Sequence, residues 1–410
     1  MLYLGLVVKV GLYRAIFFVG SALYVLTVSK LLAVEEAGIY FTYYGYFLFG
    51  SMLSRFGMDR GLVRYIPLAT SSLEKMSIFK SYVERSALFT IGVAIVFLFL
   101  HIVFGKGERW PLVIVLCLSS FFFNASLLVA AFLKGDKKPL LACSFESGAI
   151  SLICCLFLVL WTIVLGEIGL FEVATIFLLS CMTTAFTSIA LISYKNRVSP
   201  LRVSNNKISQ ELTLTLNSYG RIAILGHLNK FFPIVVIGYF YLDSDVALYK
   251  IAEQVSVIPG FVLVVISSIF SPRFSSEWAQ HNLDKTKSLF VNSILISIAL
   301  GVIGCLFVYF ISDVILAFLD PSYKEAHEML SILLFATFIN VASGPVIAIL
   351  TMTGAERKVE MLLYLSALAS VPLYLLSGIF NDVLYVAVAT LIIVMIQNLG
   401  GLFFLQRQFK

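Results

Sequence analysis

Apolar runs of about twenty residues, each closed by a short polar stretch, recur from one end of the chain to the other. At about 1.5 Å rise per residue such a run crosses a hydrocarbon layer about 30 Å thick as a helix, whereas a membrane barrel would show alternating segments of about ten. The pattern predicts twelve spans, near residues 8–32, 39–58, 83–104, 111–133, 140–165, 171–194, 213–241, 247–270, 288–312, 327–350, 360–378 and 384–405. The expected fold class is therefore an all-α polytopic membrane protein. Its first run, apolar from Leu12 to Leu32 apart from Arg14 and Lys30, is too long for the apolar part of a cleaved leader and is expected to remain as a span.

Faint internal similarity divides the twelve spans in two. LLAVEEAGIYF (31–41) follows the first helix and YLDSDVALYKI (241–251) follows the seventh, each with acidic residues, a small residue and then Tyr40 or Tyr249. FLKGDKKPLLA (132–142) joins the fourth and fifth, LTMTGAERKVEMLL (350–363) the tenth and eleventh, and both carry a glycine followed by paired basic residues. Six helices per repeat give both repeats one orientation, so two six-helix lobes related by a pseudo-two-fold along the membrane normal are expected, with the ligand site between them. The lobes are 1–197 and 213–410, joined by a polar cytoplasmic linker at 198–212. Helices one, two, seven and eight are expected to line the cleft.

Composition agrees and narrows the function. With 60% hydrophobic and 13% charged residues and a mean hydropathy of +0.98, the chain cannot be read as a soluble domain. The net charge of +6 reflects topology, because the basic residues are scattered over short loops and form no basic domain, which argues against nucleic acid as a partner. One set of loops carries most of them, including Arg55, Arg60, Arg64, Lys134, Lys137, Lys138, Arg357 and Lys358; the opposite loops hold Lys30, Lys106, Arg109 and Lys324. The positive-inside rule then puts both termini on the cytoplasmic side of the membrane. Opposite loops are short, with Trp110, Tyr323 and Tyr385 beside them as interfacial aromatics, and offer no outer domain in which a membrane polymerase or ligase would hold catalytic groups. No enzyme activity is expected. The six cysteines lie in apolar runs without C-x-x-C spacing, and no nucleotide-binding loop is present, so no metal, disulfide or cofactor is expected.

Charge inside the spans carries the functional reading. Arg221, His227, Lys230, Lys250 and Glu253 lie within 217–254. A basic residue at the centre of a spanning helix costs about 2.5–3.5 kcal/mol on insertion scales, so it usually faces a protein interior or a wet cavity. Lys230 stands about 18 Å before the end of its helix at Leu242, near mid-membrane. His227 with Lys230, and Lys250 with Glu253, are spaced to share a helical face. One wall of a cationic cavity is the functional reading; pairing of Lys230 with Glu253 as a structural contact, and snorkelling of Lys250 and Arg221 to the membrane surface, are the bland alternatives. Glu253, a carboxylate in a low-dielectric cleft, is the ion-coupling candidate, and Pro259, beyond it, predicts a bend usable as a hinge.

The first half adds Arg14 and a helical stripe of Tyr40, Tyr43, Tyr44 and Phe47. The stripe suits stacking on sugar rings and equally suits an interfacial belt, and Arg14 can face a cavity or snorkel. Asn124, Glu146, Asn340, Gln397 and Asn398 are read as hydrogen-bonding neighbours between helices.

The run SKLLAVEEAGIYFTYYGYFLFGSMLSRFGMDRGLVRYIPL (29–68) resembles the polysaccharide flippases of the multidrug/oligosaccharidyl-lipid/polysaccharide exporter superfamily. A basic residue near the end of helix one (Lys30), an acidic turn (Glu35, Glu36), Gly38-x-Tyr40, and then Gly57 and Arg64 carry the likeness, which continues through NKFFPIVVIGYFYLDSDVALYKIAE (229–253) and Ser271 to Phe274. The resemblance implies a two-lobed, twelve-helix bundle that moves an undecaprenyl-diphosphate-linked oligosaccharide, such as an O-antigen, capsule or exopolysaccharide repeat unit, from the inner to the outer leaflet. Arg14, Lys230 and Lys250 occupy positions comparable to that family's cationic lining, and a polysaccharide polymerase and chain-length proteins are the implied partners besides the lipid bilayer. A multidrug or metabolite exporter of the same superfamily, and a non-transporting scaffold of an envelope polysaccharide complex, are the competing readings.

Overall fold

The computed structural model describes residues 2–69, 71–104, 109–196, 210–352, 355–380 and 382–408, and among these it contains helices and no strand. Each predicted span is matched by one helix or by a helix broken in two. The first four are α1 (Leu2–Leu31), α2 (Val34–Arg55), α4 (Ser72–Phe104) and α5 (Trp110–Gly135), with a short α3 (Met58–Tyr65) inserted after α2. The fifth is divided into α6 (Pro139–Cys143) and α7 (Ser147–Leu165), and α8 (Leu170–Asn196) is the sixth. α9 (Gln210–Phe240) is the seventh; the eighth is divided into α10 (Asp243–Ser256) and α11 (Phe261–Ala279). α12 (Leu283–Leu319) is followed by the divided α13 (His327–Ala342) and α14 (Val346–Met352), then by α15 (Glu356–Ser377) and α16 (Leu384–Gln408).

Among the described residues, ten helices are long and apolar enough to cross a membrane. α1 contributes a shorter apolar stretch, Ala15–Leu31, and α2 is diluted by its tyrosines, Glu35, Glu36 and Arg55. The exposed side of the long helices is apolar, as hydrocarbon requires: on α12, Phe307, Phe310 and Phe318 project outward.

The interruptions have local causes. Pro259 lies in a 3-10 turn, Ile258–Gly260, because its ring cannot continue the helical hydrogen-bond ladder. Gly344, at φ 69°, ends α13 directly before Pro345, a position where the residue preceding proline is disfavoured in α geometry and only glycine enters the left-handed region without strain. Gly57, at φ 76°, turns the chain from α2 into α3 in the same way. The break before α7 has no glycine or proline: Glu146 is extended there, and Ser126 Oγ donates to the Phe145 carbonyl at 3.0 Å, satisfying a group that the break releases.

Contacts divide the chain into two units, Met1–Leu32 with Thr42–His227, and Ala33–Phe41 with Leu228–Lys410. Residues 198–209 of the expected linker lie outside the described residues, and 210–212 already belong to α9. In the first unit α5 packs on α8, α1 on α7 and α3 on α5. The α1–α7 crossing is close: a Cβ added at Gly148 would stand 2.2 Å from the Phe17 carbonyl oxygen, so a small residue is required there. Met58 and Leu62 of α3 join Phe79, Tyr82 and Phe132 in one buried cluster. In the second unit α13 and α15 pack on α16, and Ile266, Phe270, Phe274, Val346 and Ile349 form the corresponding cluster. Tyr323, expected beside an outer surface, is instead fully buried, because the 3-10 turn Pro321–Ala326 that carries it folds onto α10, α12 and α13; Trp110 and Tyr385 are exposed.

Candidate functional site

α9 runs through mid-span without the interruption that Pro233 would usually impose, and it carries three of the expected cavity residues. Lys230 is exposed and makes no ion pair or hydrogen bond among the described residues, so Glu253 does not neutralise it. His227 is half-buried with Nδ1 2.9 Å from the Ala223 carbonyl oxygen, one turn back, and Arg221 is exposed. Lys250 and Glu253 share the face that their spacing predicts: Lys250 Nζ is 2.6 Å from Glu253 Oε2, with the side chains 12% and 24% exposed. That pair carries no net charge, so a bare cation in the second unit is supplied by α9 rather than by α10.

Elsewhere in the second unit uncharged polar groups bond one another across helices. Thr390 Oγ1 donates to the Val386 carbonyl at 3.0 Å, which leaves its oxygen to accept from the hydroxyls of Tyr249 and Tyr374, each 3.0 Å away. Asn229 Nδ2 and Gln397 Nε2 both donate to Ser366 Oγ, at 3.2 and 2.9 Å, and Ser343 Oγ donates to Asn398 Oδ1 at 2.6 Å. These are helix-to-helix bonds of the kind expected of intramembrane amides and hydroxyls.

The tyrosine stripe of α2 is mostly packed away. Tyr40 is 0% exposed and edges onto Phe41; Tyr44, 8% exposed, sits among Tyr24, Phe47 and Phe177 with centroids 5.4–5.7 Å away. Such spacings are those of aromatic core packing and leave little ring face for a sugar. Tyr43 is half-buried, its hydroxyl 3.3 Å from His101 Nδ1, and His101 meets the Trp110 ring edge-on. The Arg14 side chain lies outside the described residues.

One cation that spacing alone could not single out is Arg55, the last residue of α2. Its Nη1 donates to Ser51 Oγ at 2.8 Å and to Asn124 Oδ1 at 2.9 Å; Ser51 Oγ donates to the same Asn124 oxygen at 2.6 Å, and Asn124 Nδ2 donates to Thr90 Oγ1 at 3.1 Å. Neutral dipoles from α2, α4 and α5 thus hold a guanidinium that has no carboxylate in ion-pair contact among the described residues. Further along α5, Lys134 pairs with Glu146 at 2.9 Å, and just past that helix Asp136 accepts from Lys75 at 2.7 Å and from Lys138. Burial alone would raise the Asp136 carboxyl, but the hydrogen bonds and charges of Lys138 and Lys75 outweigh it and hold the group below the ordinary carboxylate value.

Residues 224–376 match the MatE family model. Solved structures with similar folds include a multidrug resistance MATE family transporter of the MOP superfamily in an inward-facing conformation (TM-score 0.73, 15% identity, covering 97% of this chain and 94% of that one). The lipid II flippase MurJ in an inward closed conformation is similar over 97% of this chain and 87% of its own (TM-score 0.79, 13% identity). A MOP superfamily transporter from Pyrococcus furiosus, described as having a binding pocket of reversed polarity, is similar over 98% and 95% (TM-score 0.69, 13% identity). At such identities the likeness shows the fold. No curated protein matches the chain.

Proposed function

We propose that the protein is a membrane transporter of this superfamily, not an enzyme, and that it moves a polyprenyl-diphosphate-linked oligosaccharide, of the undecaprenyl type, across the bacterial cytoplasmic membrane by alternating access. The observation that carries the reading is Lys230: a cation placed mid-span on α9, exposed and with no counter-ion among the described residues. A side chain at that depth is costly unless it meets water or an anion, and a diphosphate crossing the hydrocarbon needs such groups in place of its hydration. Arg221 and His227 extend the same helix's polar character towards its start. Glu253, held by Lys250, is the candidate for coupling to an ion gradient, and the turn at Pro259 is the candidate hinge. Transport of this kind breaks no covalent bond.

The likeness to a multidrug transporter supports a second reading, export of drugs or metabolites, for which a cationic substrate would favour acidic lining. Lys230, near mid-span and with no ion pair among the described residues, favours the anionic substrate, because the acids Asp243 and Asp245 stand in the first turn of α10. The distribution of loop charge supports cytoplasmic termini. The test is a deletion strain assayed for lipid-linked oligosaccharide on the inner leaflet. Accumulation there with loss of surface glycan, restored by the wild-type gene and not by Lys230→Ala, is expected; a flat pool with surface glycan intact would end the proposal.

A further inference from the structure

The first unit contains a cavity of about 450 Å³ of its own, at the end of α2 and lined wholly by residues of that unit. Its volume lies in the range of small-ligand clefts, roughly 300–1,000 Å³. Arg55, Arg60, Arg64 and Lys134 line it with Asp59 and Glu146, four cations against two acids. Lys134 and Glu146 are paired with one another, so the excess charge resides on the arginines.

Two of those arginines keep donors to spare. Arg55 bonds to protein only through Nη1, and its remaining N–H groups have no acceptor among the described residues. Arg60 is exposed and makes no ion pair or hydrogen bond there. Arg55 is also pre-positioned: Ser51 and Asn124 fix one edge of its guanidinium, and Thr90 fixes Asn124 in turn. A planar fork held in this way with its other edge unpaired matches a phosphate oxygen pair.

The remaining wall is apolar. Leu127 and Ala131 of α5 and the exposed Val63 of α3 border the charged groups, and Leu68, just past α3, is 69% exposed. α3 buries Met58 and Leu62 and turns Arg60 and Arg64 outward, the arrangement of a helix lying at a membrane surface. Basic pockets at such a level take lipid head groups.

We infer that this cavity binds the phosphate of a lipid headgroup, with Arg55 and Arg60 as its ligands, Asn124 as the residue that positions Arg55, and the α3–α5 apolar wall along the first carbons of the tail. The lipid can be an anionic phospholipid, carrying one phosphodiester, or a polyprenyl diphosphate; the surplus of two cations suits the diphosphate better. The inference does not depend on the transport reading, because binding is measurable without transport.

The test uses the full chain in neutral detergent, titrated separately with farnesyl diphosphate and with short-chain phosphatidylglycerol. Arg60→Gln and Arg55→Gln are each expected to weaken binding at least fivefold. Asn124→Ala should weaken it in the wild-type background and have no further effect once Arg55 is glutamine, a pattern that a general loss of stability would not give. Arg357→Gln, an exposed position in the second unit, is the control for net charge and should bind as wild type. Preference for one lipid identifies the source and upholds the site in either case. No saturable binding of either lipid, equal binding by Arg60→Gln and wild type, or an equal loss in Arg357→Gln would overturn it; since Arg60 is exposed, its variant carries the test should Arg55→Gln fail to fold.

Discussion

The two units solve the problem of intramembrane polarity differently. In the first, Arg55 is held by neutral dipoles, Ser51 and Asn124, with Thr90 behind them, and keeps its full charge. In the second, Lys250 is neutralised by Glu253 at 2.6 Å, while hydroxyls and amides of Tyr249, Tyr374, Thr390, Asn229, Ser366 and Gln397 bond one another. Lys230 is the exception there, a cation on α9 with no counter-ion among the described residues. A charge kept without a counter-ion is available to an outside anion, whereas one in a tight pair is largely committed. The difference therefore separates groups suited to holding substrate from groups suited to structure or to titration.

The contrast can be broken or sharpened by substitution, and the largest effect is expected where packing allows least. Gly148→Leu should prevent the α1–α7 approach and cost more than about 3 kcal/mol, read as loss of folded protein by size exclusion and thermal melting. Next comes Asn124→Leu, which strips a charged donor and two hydroxyls of their partner and should cost about 3 kcal/mol; Ser366→Ala, which removes a neutral acceptor in the second unit, should cost about 1 kcal/mol. Equal losses at the two sites would show that the charge on Arg55 adds nothing. For the pair, the double variant Lys250→Gln with Glu253→Gln should cost less than the sum of the two single variants, a coupling of about 1–3 kcal/mol in a double-mutant cycle.

The smallest effect is expected outside the spans, at Asp136. Because its carboxyl is held below the ordinary value, it contributes stability that is fully present above the unfolded-state value near 3.9 and is lost as the pH falls through the lower folded-state value. Asp136→Asn should lower stability by about 0.5 kcal/mol at neutral pH and flatten that acid-side decline, measured by melting across pH. An unchanged acid limb would mean that Lys75 and Lys138 do not engage it in solution.

Much of the fold was written in hydrophobic run length, and all twelve spans fall on helices. The break at Gly344–Pro345 was present as a residue signal but overridden by an apolar run that continued through it; the break at Ser144–Glu146 had none, being set by Lys134 and Ser126 on a different helix. The site was legible where partners are local. Lys250 and Glu253, three apart, are paired as their spacing implied. Arg55 looked like one more topology-setting arginine because Asn124 lies 69 residues away, and the tyrosine stripe could not reveal that Phe177 of α8 would cover Tyr44.

The central claim, that the cation on α9 serves an anionic headgroup, is tested most directly in proteoliposomes containing purified protein and a polyprenyl-diphosphate-linked oligosaccharide, with leaflet exchange followed in time. Wild-type protein is expected to accelerate exchange, Lys230→Gln to reduce the rate at least tenfold, and Lys230→Arg to retain most of it. Exchange by Lys230→Gln at the wild-type rate, or wild-type protein that moves a cationic dye and leaves the lipid in place, would contradict the account.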